Sequence, residues 1–412
     1  MTAKNNITTF SQMFYPDASA TSKLLTDMLV GISNNFEINV YAQNRSYTNN
    51  KVIYKASEEL SHININRVNV PPLNKNNFFS RLLLSYIISK KFKQIAINIG
   101  EKTDLFLSVS NPPNMPHEIA LVAKKFKVPF VYLLHDLYPD ELMKTYKISN
   151  YKFAKPIVEH LKKTTFETFL MSDKIITVGR DVKSYLISNY NVESMKIEVL
   201  TNWSHKLEID PEESRKFKTK LNLNDKFVIM YAGNIGILQD FDVILLTMKE
   251  FQLIDKDIIL VVIGNGKKIK LINDFCEQNK LTNIKIVDFI FDEREYASAL
   301  NAADCCLVSL NKTLYGIAVP SKTYYYLSVG KPIIGIIPKN SEIDLEIKED
   351  DFGLTCNDYS YETLSSIILK LKNDSQLLAL MSQKAKNAFE TKYSMQVAIQ
   401  KYLKLFKEVI EK

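Results

Sequence analysis

The chain has 412 residues, 46% hydrophobic and 24% charged, a balance that excludes a disordered polar chain and fits two or three globular domains. Its formal net charge is +7, unevenly spread: residues 1–200 hold 25 basic and 17 acidic side chains, residues 201–412 hold 28 and 29. An acidic partner is therefore to be sought at the first half, where residues 51–100 alone hold 8 basic and 2 acidic groups.

In chain order, Met1–Phe10 lacks the apolar core of a secretory signal, and no apolar run reaches the ~20 residues of a membrane span. Short apolar runs then alternate with helical stretches. Ile7–Phe10, Ile38–Ala42, Leu105–Val109, Phe130–Leu134 and Lys174–Val178 read as strands in the first half. Phe227–Ala232, Ile258–Ile263, Ile284–Phe289, Cys305–Ser309 and Pro332–Ile337 read as strands in the second. Amphipathic segments lie between them, among them Ser22–Ser33, Pro116–Phe126, Tyr296–Ala302 and Tyr361–Lys372. This alternation predicts an α/β protein with parallel sheets, in two domains because the strands are too many for one comfortable sheet. The boundary is expected after Asn202-Trp203, with Leu207–Asn224 as connector and helix. The last helix, Ser394–Lys412, shows an apolar stripe of Val397, Tyr402, Leu403, Phe406 and Ile410 that must cover something. Cys276, Cys305, Cys306 and Cys356 form no CxxC, so free thiols in a reducing compartment are expected.

Ligands of open α/β sheets bind at the C-terminal ends of strands, near helix N-termini. The loop after Ile7–Phe10 holds Tyr15, Ser19 and Thr21, and reads equally as a ligand loop or as a turn capped by Ser19 or Thr21. After Phe130–Leu134 come His135, Asp136, Tyr138 and Asp140, where neighbouring carboxylates could tune an imidazole. Gly233-Asn234-Ile235-Gly236 and Gly264-Asn265-Gly266 each end a strand. Either is a tight turn alone; together they suggest a rim facing phosphate. Pro320-Ser321-Lys322 offers a hydroxyl and a mobile ammonium at a helix start, and a Tyr run follows. Residues 76–97, with Phe78, Phe79, Leu82, Leu83, Tyr86 and Ile87 beside Arg81, Lys90, Lys91 and Lys93, fit a helix lying on an anionic membrane or an ordinary core helix with a basic outer face. No nucleic-acid motif accompanies the basic half, and no nucleic-acid partner is expected.

Taken in order, these motifs resemble the retaining family 4 glycosyltransferases of GT-B fold, especially the bacterial branch that builds surface polysaccharides and includes fucosamine transferases. Phe14-Tyr15-Pro16 with Ala20-Thr21, His135-Asp136-Leu137-Tyr138-Pro139, Asn202-Trp203, the two Gly turns, Ala303-Asp304 and Val319-Pro320-Ser321-Lys322 carry the resemblance. It implies two facing Rossmann-like domains with a cleft: an acceptor domain over 1–203, a nucleotide-sugar domain over 204–391, and a helix over 392–412 crossing back to the first. It implies transfer of a sugar, an N-acetylated hexosamine or deoxyhexosamine, from a nucleotide diphosphate, UDP, to a lipid-linked saccharide. This would take place in the cytoplasm, on the inner face of the membrane. The catalytic residues would be His135, Asp136 and Lys322. Gly233, Asn234, Gly236, Gly264, Gly266, Phe289, Pro320, Ser321 and Tyr325 would hold the donor, and Tyr15, Ser19 and Thr21 the acceptor. No metal or other cofactor is expected, because Lys322 and the Gly236 amide would meet the leaving diphosphate. Two departures stand out. The family's paired Glu positions hold Ile317 and Tyr325, and its Arg and Lys after the first strand of the second domain are Asn234 and Gln239. A 2-epimerase or phosphorylase of the same fold, or a non-catalytic partner subunit, are the alternative readings.

Overall fold

The computed structural model describes residues 4–17, 19–47, 49, 51–73, 78–146 and 155–412. The first elements are β1 (Asn6–Phe10), α1 (Ala20–Ile32), β2 (Glu37–Gln43), β3 (Ser57–Leu60), β4 (Ile63–Val68), α2 (Phe78–Ile99), β5 (Leu105–Val109), α3 (Met115–Phe126) and β6 (Phe130–Leu134). Next come α4 (Asp140–Tyr146), α5 (Lys155–Met171), β7 (Lys174–Thr177), α6 (Arg180–Tyr190) and β8 (Ile197–Val199). Beyond residue 201 the chain continues with α7 (Pro211–Lys220), β9 (Phe227–Ala232), α8 (Asp242–Ile254), β10 (Ile258–Ile263), α9 (Ile269–Gln278), β11 (Ile284–Val287) and α10 (Glu293–Asn301). It ends with β12 (Cys305–Ser309), α11 (Lys322–Ser328), β13 (Ile333–Ile336), α12 (Glu342–Asp350), β14 (Gly353–Thr355), α13 (Tyr361–Asn373), α14 (Ser375–Ala388) and α15 (Met395–Ile410).

Two compact units result. The first comprises residues 1–201, 316–318 and 395–412; the second comprises 202–315 and 319–394. The first unit's sheet runs β3-β4-β2-β1-β5-β6-β7-β8, parallel except for the β3–β4 pair. The second runs β11-β10-β9-β12-β13-β14 and is parallel throughout. The central strands β5, β6, β9, β10 and β12 are buried at every residue, as strands covered on both faces must be. In each sheet the chain order reverses beside the unit's first strand, between β1 and β5 and between β9 and β12, and there the crevice of an open α/β sheet opens.

The core strands fall where their apolar runs predict. The strand expected over Ile284–Phe289 stops at Val287, because Asp288 and Phe289 leave the ladder for solvent. The helix predicted around Pro211 is α7, with Asp210 accepting from the amides of Glu212 and Glu213 and Pro211 at its first turn. The stripe on α15 is rotated from the expected one. Ala398, Tyr402, Leu405, Phe406 and Val409 are buried, whereas Val397, Leu403 and Ile410 lie at its margins. It packs on α1, where a Cβ added to Gly31 would stand 2.2 Å from Ile399 Cδ1.

In α2, Ile88, Phe92 and Ala96 enter the core, while Leu83 and Tyr86 are exposed. The expected basic face is partly tied down: Lys90 and Lys93 reach Glu118 at 3.1 and 2.6 Å, and Lys91 donates to the Asn69 carbonyl at 2.7 Å. Asn76, Asn77 and the side chains of Phe78 and Phe79 lie outside the described residues. No described helix is long and apolar enough to cross a membrane.

The α1–α15 contact gives a direct test. Gly31→Ala is expected to lower unfolding free energy by about 1–3 kcal/mol through overpacking. Ile399→Ala in the same chain should return part of that loss, and additive losses in denaturant unfolding would contradict the close approach.

Candidate functional site

In the second unit, β9 and β10 end in glycines that bring two turns together. Gly233 and Gly264 have φ of 129° and 134°, a region that L side chains rarely adopt. A Cβ on Gly264 would lie 2.2 Å from the Gly233 carbonyl, and one on Gly266 would lie 2.3 Å from the Ile235 carbonyl. The Ile235 amide donates to Asn265 O at 2.9 Å. The Asn234 side chain fits between Gly236 and Gly266, within 2.9 Å of the Cβ either would carry. Two loops are thereby held as one rigid rim.

Lys322 stands over this rim. Its Nζ lies 3.5 Å from a Cβ placed on Gly233 and 3.6 Å from the centre of the Tyr231 ring. The residue is partly exposed but Nζ is buried, and among the described residues it has no hydrogen-bond partner. Burial pushes its pKa down to about 7. A cation–π contact replaces only part of lost hydration. The group is therefore short of an anion.

The Gly236 amide expected to meet a diphosphate is already engaged: it donates to Gln239 Oε1 at 2.8 Å. Lys268 brings a second ammonium to the loop, donating to the Gln239 carbonyl at 2.6 Å. Pro320 and Ser321 precede α11, with the Pro320 carbonyl accepting from the Thr323 amide and hydroxyl. Tyr325 meets the Tyr296 ring edge-on at 6.3 Å, and Phe289, half-exposed beyond β11, meets Phe291. Sequence reasoning passed over Tyr231, Lys268 and Tyr326; a tyrosine inside an all-apolar strand was the available signal for the first.

In the first unit, the loops after β1, β5 and β6 share one edge. The Gln12 amide donates to Asn111 O, and the Asp136 amide donates to Ser110 Oγ at 2.9 Å. Burial lowers the pKa of His135 to about 4, so the imidazole is neutral near pH 7. Burial raises the carboxyls of Asp136 and Glu141, and Asp136 raises Glu141 further while Arg81 opposes that rise. The loop is clamped from below: Asp140 accepts from the Tyr185 hydroxyl at 2.6 Å and from that of Tyr190. Of the expected acceptor residues, Ser19 is the N-cap of α1 and accepts from the Ser22 amide at 3.2 Å. Thr21 is half-buried in the first turn, and Tyr15 is 41% exposed with its carbonyl accepting from Arg67.

Residues 34–203 match the profile of the family described as Glycosyltransferase Family 4. The probable glycosyltransferase WbjE of Pseudomonas aeruginosa is 24% identical over 290 residues, 69% of this chain and 70% of that one. HepE of Anabaena, solved with UDP, superimposes with a TM-score of 0.73 at 13% identity, covering 98% of this chain and 100% of its own. Sucrose-phosphate synthase of Thermosynechococcus elongatus gives 0.75 at 12% identity, covering 99% and 100%. The fold is that of the GT-B glycosyltransferases, with two parallel-sheet Rossmann-like domains.

The rim's rigidity is testable without a ligand. Gly264→Ala combines a forbidden φ with a backbone clash and is expected to cost about 2–3 kcal/mol. Gly236→Ala, which meets only the ends of flexible side chains, should cost less, and equal losses in denaturant unfolding would refute the difference.

Proposed function

We propose that the chain is a glycosyltransferase that takes a sugar from a UDP-linked donor held by the second unit and passes it to a lipid-linked saccharide received by the first. The observation that carries the donor half is the buried Lys322 ammonium, without a hydrogen-bond partner among the described residues, beside Gly233 at the end of β9. The match of residues 34–203 to Glycosyltransferase Family 4 supports the reaction class. The relative WbjE, a probable glycosyltransferase, supports it too, and the HepE complex with UDP supports the donor class.

Lys322 offsets charge growing on the leaving diphosphate, a large electrostatic contribution in a desolvated site. The Gly236 amide joins it when the diphosphate displaces Gln239 Oε1. His135, neutral near pH 7, hydrogen-bonds the reacting hydroxyls, with Asp136 beside it. Transfer proceeds with retention: the acceptor oxygen bonds to the anomeric carbon on the face that the phosphate leaves, and the departing phosphate oxygen takes the acceptor's proton. The sugar is an N-acetylated hexosamine or deoxyhexosamine. The enzyme works in the cytoplasm on the inner face of the membrane, with Leu83 and Tyr86 of α2 at the lipid surface.

Incubation with UDP-sugars and a polyprenyl-diphosphate saccharide is expected to lengthen the lipid; release of a free sugar nucleotide epimer, or no turnover with any donor, would overturn the reading. Lys322→Ala is expected to lower kcat/KM by about 10²-fold or more. The pH dependence has a definite sign. With the free ammonium titrating near 7 and the bound one held charged by phosphate, UDP affinity should fall as pH rises above 7. Lys322→Arg should bind UDP with no such fall between pH 7 and 9, and an unchanged fall would contradict the assignment. In vesicle flotation, Leu83→Glu with Tyr86→Glu should release the protein from anionic vesicles, and undiminished binding would exclude that surface.

A further inference from the structure

The hydrogen bonding of β9 changes before the strand ends. On the β10 side it runs full length, from Phe227–Ile258 to Ala232–Ile263, and Gly233 beyond it still donates to Ile263 at 2.9 Å. On the β12 side it covers only Ile229–Cys305 and Met230–Cys306. Ala232 faces that side, and none of the described strands pairs with it there. The Tyr326 hydroxyl does so instead, accepting from the Ala232 amide at 2.8 Å and donating to its carbonyl at 3.0 Å. One fully buried side chain thus stands in for a strand residue at the crevice where the strand order reverses.

Tyr326 also belongs to the helix that carries the cation. It follows Lys322 by four residues on α11, so the two side chains share a face. The residue before Ala232 is Tyr231, whose ring lies under Lys322 Nζ and whose hydroxyl donates to Asn234 O at 2.7 Å. A single linkage therefore joins the helix, the last residues of β9 and the glycine rim.

We propose that Tyr326 is a positioning residue for the diphosphate: by pairing with Ala232 where β12 has parted from β9, it keeps the crevice open and fixes Lys322 over the Gly233 turn. The proposal rests on the donor reading above. It assigns Tyr326 no contact with the donor. Its effect reaches the diphosphate only through Lys322, which is what separates it from a general packing role.

The test is calorimetric binding of UDP, UMP and uridine to the full chain in four forms: wild type, Tyr326→Phe, Lys322→Ala and the double variant. Tyr326→Phe is expected to reduce the preference for UDP over uridine about tenfold while leaving uridine affinity unchanged. In the Lys322→Ala chain the same change should cost less than about twofold, because residues acting through one contact are not additive. Equal weakening of all three ligands, or a full additive loss in the double variant, would overturn the role of Tyr326. A wild-type chain that binds none of the three would overturn the donor reading and this one with it. If Tyr326→Phe does not fold, 4-aminophenylalanine at 326 keeps a donor for the Ala232 carbonyl but is a poor acceptor for its amide; it should reduce the UDP preference about twofold at unchanged uridine affinity, and no change would likewise overturn the proposal.

Discussion

A parallel ladder forces every strand to finish at the same edge, and the second unit's chemistry depends on where one such ladder stops. Had β12 stayed paired with β9 to its end, Ala232 would be bonded within the sheet and no crevice would face the Gly233 turn. The pairing ends at Met230 and Cys306, two residues early. The exposed polar groups of Ala232 are too costly to bury unpaired, and Tyr326 meets that need from a helix. The strand order makes the gap, the gap requires a partner, and the partner belongs to the helix that bears Lys322.

Lys322 shows the same economy of means. Burying an ammonium without a counter-ion is strongly unfavourable, and proteins respond by lowering its pKa or by supplying a π face. Both are present, with a pKa pushed down to about 7 and the Tyr231 ring 3.6 Å away. Neither stabilises the ion as a bound anion does. The first unit's edge has the opposite character: Asp136 and Glu141 are carboxyls made reluctant to ionise by burial, and His135 is an imidazole held neutral. One edge holds a cation short of an anion, the other holds carboxyls and an imidazole that burial pushes towards their neutral forms.

Much of this was legible in the sequence, for reasons that differ by element. The runs Phe227–Ala232 and Ile258–Ile263 are short, apolar and bounded by glycines, as strands covered on both faces are, and those glycines admit the positive φ of their turns. The strand β4 carries a different signal: Ile and Asn alternate with Ile63 and Ile65 buried, the pattern of a half-buried strand, which a reading for continuous apolar runs passes over. β8 and β14, three residues each, are too short to show a pattern. In the site, residue types announced Gly233, Gly264 and Lys322, but contacts decided the remainder. Nothing in the spacing says that the Gly236 amide is held by Gln239, or that the last two tyrosines of Tyr324-Tyr325-Tyr326 divide between an edge contact with Tyr296 and a bond to Ala232.

Net charge is the quantity that structure reinterprets most. The basic surplus belongs to residues 1–200, which by count alone would draw an anionic ligand to the first unit. Yet Lys90 and Lys93 are paired with Glu118, and Lys91 is bonded to a backbone carbonyl. Partly exposed and screened by water and salt, such charges attract weakly beyond about 10 Å. The near-neutral half holds the one cation whose Nζ is buried without a hydrogen bond among the described residues. At the lower dielectric of a buried site, one charge at contact distance acts on a phosphate several times more strongly than the same charge in water. On the donor reading proposed above, a diphosphate would be met by Lys322 beside the glycine rim, not by a diffuse surplus of positive charge elsewhere on the chain.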